Sequence, residues 1–150
     1  MPRLSLDQFL PYRLSIASNR VSAAIATAYQ ALFGLKIPEW RLVAVLAEEG
    51  AASQQALGVR TRMDKMTVSR AALTLVERGL VTRKANPADQ RSQLLSLSAS
   101  GRQLYDEIAP KALAMEAELM AGFTDAERER LTGYLVRLEQ AAERIGTGHS

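Results

Sequence analysis

The sequence predicts a mainly α-helical chain with one small β-hairpin, and three observations carry that prediction. Apolar residues recur at helical spacing through most of its length, the spacing falls toward two only between residues 80 and 97, and capping residues or turn formers mark the boundaries. With 150 residues, 47% of them apolar and 23% charged, the chain has the size and composition of a single globular domain.

The first third reads as one helix. Leu14, Ala17, Val21, Ala24, Ala28 and Ala31 recur three and four residues apart, Ile25 and Leu32 widen the stripe, and Gly34 ends it. A stripe this rich in alanine fits either a core face or a helix-pairing seam, and core burial is the first expectation. Pro38 then opens a second helix, whose apolar side is Trp40, Val43, Ala44, Leu46 and Ala47 and which Glu48-Glu49-Gly50 closes.

Ser53 caps a third helix in which Ala56 and Leu57 face inward. Asp64 caps a fourth, running from Lys65 to Arg78 with Val68, Ala72 and Leu75 inward and Gly79 where a left-handed C-cap is expected. The short link around Arg62-Met63 forces the two helices to cross steeply, as a helix-turn-helix does, although the usual turn glycine is absent. Leu80-Val81-Thr82-Arg83-Lys84 and Ser92-Gln93-Leu94-Leu95-Ser96-Leu97 follow as strands, with Asn86, Pro87 and Asp89 turning between them: a hairpin with a basic, mobile tip. Ser98 caps a long helix reaching about Phe123, which Pro110 is expected to bend or split. Thr124-Asp125-Ala126-Glu127 has the capping-box pattern, and the last helix lines up Leu131, Leu135, Leu138, Ala142 and Ile145 before a frayed tail from Gly146 to Ser150.

The composition excludes much chemistry. There is no cysteine, and the single histidine is His149 near the C-terminus, so thiol redox switches, disulfides, zinc sites and histidine-based triads lack their raw material. Acidic pairs such as Asp106-Glu107 or Glu127 and Glu129 read as solvated helix faces, so no enzyme, cofactor or metal is expected. No run of 18 apolar residues occurs, and Met1-Pro2-Arg3-Leu4-Ser5-Leu6-Asp7 has no apolar signal core; the expectation is a cytoplasmic protein with no membrane partner.

Charge is unevenly spread. The net +3 divides into +1 over residues 1–52, +5 over 53–98 and −3 over 99–150, which sets a basic, polyanion-facing segment beside an acidic helical one. A helix-turn-helix followed directly by a hairpin is the winged-helix arrangement, in which a helix enters the major groove of duplex DNA and the hairpin reaches the neighbouring minor groove. On the fourth helix Lys65, Thr67, Ser69 and Arg70 offer a cation and hydroxyls for phosphates and a guanidinium for guanine. In the hairpin, Arg91 suits a narrow minor groove, while Arg83 and Lys84 lie near the DNA backbone. Singly each has a plainer role: Lys65 and Thr67 as solvent-facing residues, Asp64 as a cap, Met63 and Met66 as packing filler, Arg83 and Lys84 as edge-strand charges. Their combination in one order favours DNA.

Asp64-Lys65-Met66-Thr67-Val68-Ser69-Arg70, Leu75-Val76-Glu77-Arg78-Gly79-Leu80-Val81, and Asp89-Gln90-Arg91-Ser92 with Leu97-Ser98-Ala99-Ser100-Gly101 resemble the recognition helix and wing of the MarR family of bacterial transcriptional regulators. The order of helices is similar over nearly the whole chain. The resemblance implies an N-terminal dimerisation helix over 5–34, a winged helix-turn-helix part over 38–98 and C-terminal dimerisation helices over 99–146. It further implies a homodimer, acting as a repressor, on a pseudo-palindromic operator in double-stranded DNA, with Arg91 in the minor groove, Asp89 orienting the wing and Lys65–Arg70 in the major groove. Leu73, Thr74 and Val76 depart from the polar or charged residues common in that family, so base preference does not transfer. Members are often released by a small amphipathic effector, for which Tyr12, Arg13, Ile16 and Trp40 are the candidate wall; release by thiol oxidation is impossible here. The competing function is a winged-helix protein-interaction module that does not bind DNA.

Overall fold

A computed structural model describes residues 2–148; His149 lies outside the described residues. Its elements, in order, are a 3₁₀ turn (Leu6–Gln8), α1 (Leu10–Phe33), α2 (Ile37–Glu49), α3 (Gln54–Thr61), α4 (Lys65–Glu77), β1 (Val81–Ala85), β2 (Gln93–Leu97), α5 (Ala99–Leu119) and α6 (Asp125–Gly148). This is the expected mainly helical winged helix-turn-helix fold. The chain divides into two compact units, Met1–Ala109 and Pro110–Ser150.

The core of the first unit is built by α2, α3, α4 and the hairpin. Leu35, Leu42, Val43, Leu57, Ala72, Leu75 and Ile108 have no exposed surface, and Val68 and Leu95 almost none. Each such leucine contributes about 1.5–3 kcal/mol by leaving water. Helix boundaries follow from local chemistry. Pro11 and Pro38 sit at the first turns of α1 and α2, where a missing amide costs no helical bond. Buried Glu39 accepts from the Lys36 amide at 3.1 Å, satisfying one of the orphan donors at the start of α2. Ser53 Oγ accepts from the Ala56 amide and Asp64 Oδ1 from the Thr67 amide, at 3.1 and 2.8 Å, fixing where α3 and α4 begin.

β1 and β2 pair antiparallel, with Val81 opposite Leu97 and Arg83 opposite Leu95. Ala52, in the α2–α3 link, exchanges two backbone hydrogen bonds with Leu95 at 3.0 and 2.8 Å, tying the middle of β2 to the helical part. Ser98 joins three elements. Its hydroxyl donates to the Gly79 carbonyl at 2.6 Å and accepts from the Gly101 amide at 3.0 Å, while its own amide donates to Leu80 O at 3.0 Å. Gly101 is buried there, and only glycine fits, because a Cβ would fall on the Leu80 carbonyl oxygen.

Several expectations are corrected. The alanine stripe of α1 is not core within the chain: Leu14, Ala17, Ala24, Ala31 and Leu32 are exposed, and the buried side chains of this helix are Tyr29 and Phe33. Ala56 is exposed, and only Leu57 of that pair faces inward. α5 is not split at Pro110, and it ends at Leu119 and not near Phe123, where the chain tightens into a three-residue turn that closes with Phe123 N donating to Met120 O at 3.0 Å. Residues 146–148 are helical, not frayed, with Thr147 Oγ1 donating back to Glu143 O at 3.0 Å.

In the second unit, Thr124 and Glu127 close the expected capping box with bonds of 2.9 and 3.1 Å, and Arg128 pairs with Glu116 at 3.1 Å. None of the described α6 residues is buried. Leu131, Leu135, Leu138 and Ile145 remain 39–64% exposed.

Candidate nucleic-acid interface

The turn between α3 and α4 explains how the chain dispenses with a glycine. Arg62 takes φ 58°, the left-handed region, and is the only non-glycine with positive φ among the described residues. α4 then emerges with Asp64 as its cap. Two hydrogen bonds from Thr67, the backbone one foremost, hold the Asp64 carboxyl below its ordinary value of 3.8, so it is ionised and acts as a cap.

Val68, Ala71, Ala72 and Leu75 bury one side of α4. Met66, Arg70 and Leu73 project from the other. Lys65, Ser69 and Arg70 are exposed and Thr67 is half-buried, so the expected reading residues are all on the accessible part of the helix. Met66 is not packing filler: it is 63% exposed in the first turn. The signal was in the helical spacing, since a residue two before Val68 and nine before Leu75 falls opposite the buried face.

The wing is held by its own side chains. Asp89 Oδ1 accepts from the Arg91 amide at 3.0 Å, Asn86 Oδ1 from the Ala88 amide at 3.0 Å, and Asn86 Nδ2 donates to Ser92 Oγ at 2.9 Å. Arg91 is thereby presented, exposed, on a turn whose backbone is fixed from both sides. Arg83 and Lys84 lie on opposite faces of the hairpin. Arg83 joins Arg91, Gln90 and Gln93 in a cleft of about 500 Å³ whose far wall is the start of α3, Ser53, Gln54 and Gln55. Gln54 and Gln55 also line a neighbouring groove of about 550 Å³ that reaches Lys65 and Met63. The start of α3 therefore bridges the start of α4 and the wing, and Gln54, Gln55 and Gln93 are polar residues the sequence reading missed.

Not all the basic residues of the middle segment are at this surface. Arg60 pairs with Glu48 and Glu49 at 3.4 and 2.9 Å. Arg78 donates to Gly34 O at 2.9 Å and to Phe33 O at 3.4 Å, joining the end of α4 to the end of α1. Of the effector candidates, Tyr12, Arg13 and Ile16 lie in the first turns of α1. Trp40 is half-buried in an aromatic row, edge-on to Tyr29 at 5.7 Å and stacked on Tyr105 at 5.9 Å.

A family model described as the MarR family matches residues 33–92, the segment that contains the helix-turn-helix and most of the wing. An uncharacterized HTH-type transcriptional regulator of Bacillus subtilis, YwoH, is 31% identical over 75% of this chain and 81% of its own length. The chain belongs to the MarR family. A putative transcriptional regulatory protein for the hcr operon of Thauera aromatica is also 31% identical, over 65% of this chain; the match spans 58% of that relative. The crystal structure of a MarR/EmrR family regulator from Acinetobacter sp. ADP1 superposes with a TM-score of 0.85, 26% identity and coverage of 94% of this chain and 99% of the other. These relatives are all described as transcriptional regulators. Among the described residues no cluster of metal-ligating side chains occurs, and no helix is long and apolar enough to cross a membrane.

Proposed function

We propose that the chain is a repressor that binds a pseudo-palindromic operator as a homodimer, with α4 in the major groove and the wing in the adjacent minor groove. The observation that carries this reading is that Gln54 and Gln55 line both the groove reaching Lys65 and the cleft holding Arg83 and Arg91. This arrangement presents a helix start and a basic hairpin together, as a duplex requires. Lys65, Thr67 and Ser69 serve phosphates, Arg70 a guanine edge, and Arg91, fixed by Asp89, the minor groove; Lys84 extends the contact along the backbone. The accessible leucine row of α6 and alanine stripe of α1 supply the apolar area that a two-fold partner covers.

A small amphipathic effector that releases the operator is the second part of this reading, with Tyr12, Arg13, Ile16 and Trp40 as its wall. Selecting bound sequences from a random duplex pool, then measuring affinity across salt concentrations, tests the DNA part. The expected result is a palindrome with half-sites about 10 base pairs apart and an affinity that falls steeply with salt. A single unpaired site, or binding insensitive to salt, would overturn it.

A further inference from the structure

Resting on the DNA-binding reading above, we propose that Met66 reads the operator directly. Its side chain contacts the C5 methyl of a thymine in the major groove, within about two base pairs of the guanine taken by Arg70. The core does not need Met66: Val68, Ala71, Ala72 and Leu75 complete the buried side of α4. Met66 instead stands 63% exposed on the first turn, in line with exposed Arg70 one turn later. At 3.6 residues per turn, i and i+4 side chains share a face and reach neighbouring base pairs.

A major groove offers one apolar group to such a side chain, the thymine methyl. An unbranched, flexible thioether adapts to that small target better than a branched side chain would. Leu73, 52% exposed on the same side, lies further from the helix start that points at base edges, so the first-turn methionine is the better placed of the two. Because Met66 is exposed, truncating it is expected to leave the fold intact, so the variant can be compared directly with the wild type.

The experiment uses the full chain and the operator it selects. Each thymine is replaced in turn by deoxyuridine, which removes only the methyl, and binding is measured for the wild type and for Met66→Ala. The wild type is expected to lose about fourfold at one thymine per half-site, the size set by returning one methyl to water. Met66→Ala is expected to bind the unmodified operator more weakly and to ignore that methyl, the signature of a coupled pair. A wild type indifferent to every methyl, or a Met66→Ala protein that keeps the full penalty, overturns the proposal while leaving DNA binding intact. Failure of the wild type to select any operator overturns both readings.

Discussion

Arg91 and Asp89 make the wing a designed presentation rather than a loose basic loop. The carboxylate holds the Arg91 amide at 3.0 Å, so the guanidinium starts from a fixed backbone and loses less freedom on entering a groove. Arg91→Ala is expected to weaken operator binding by about 1–3 kcal/mol in a titration at fixed salt. Unchanged affinity would remove the minor-groove role. Asp64 gives a second residue-level prediction. Its folded-state pKa is lowered by the Thr67 bonds, so its contribution to stability is complete above the ordinary value of 3.8 and fades as pH falls through the depressed folded value. The melting-temperature gap between wild type and Asp64→Ala should therefore be open at neutral pH and narrow in acid; a gap that does not change with pH would contradict this. Asp64 was legible in the sequence as a cap and Asp89 as a turn former. Met66 was not, because an isolated methionine beside an apolar stripe reads as core until the stripe's angle is drawn, and Arg62 was invisible because nothing in its side chain announces a left-handed backbone.

Among the elements, the junction of wing and α5 is the tightest. Ser98 bonds to Gly79 O and Leu80 O and receives Gly101 N, and Gly101 lies buried against the Leu80 carbonyl. Gly101→Ala must push α5 away from the chain leaving α4, at a cost of about 1–3 kcal/mol for the overpacking. Chemical denaturation measures it, and a stability equal to wild type would show that α5 shifts without resistance. Capped elements were read closely from the sequence: α2, α3, α4 and the hairpin fall within a residue or two of their expected limits. Uncapped ends were not. The end of α5 depends on a turn that glycine permits but does not require, and the continuation of α6 to Gly148 rests on Thr147 bonding back to the helix, which no periodicity records.

For the whole molecule, the charge arithmetic resolves into roles. Of the eight basic residues of the middle segment, Arg60 pairs with the end of α2, Arg78 with the end of α1, and Arg62 forms the turn between α3 and α4, leaving Lys65, Arg70, Arg83 and Arg91 at the candidate interface and Lys84 on the other face of the hairpin. The stripe of α1 could not be judged from the sequence, because an apolar face looks the same whether its own chain or a second copy covers it. The proposed effector control belongs to this scale too, since a ligand and an operator that oppose each other do so reciprocally, typically by about 1–3 kcal/mol. Titrating aromatic carboxylates should quench or shift the emission of Trp40, the single tryptophan, and weaken operator binding together. No change in either would remove the effector wall from α1 and α2.

The two hydrogen bonds between Ala52 and Leu95 make the hairpin a third-strand partner of the α2–α3 link and not an appendage. A hairpin clamped at the centre of β2 is expected to melt with the helices it is tied to, so that loss of the wing and loss of the helical reader become one cooperative event. In native-state hydrogen exchange the amides of Ala52 and Leu95 should open with the same free energy as those of α4, while the amides at the tip, near Pro87 and Gln90, exchange far sooner. The clamp thus gives one short element two depths of opening: a tip whose amides open locally and a middle that opens with the whole domain.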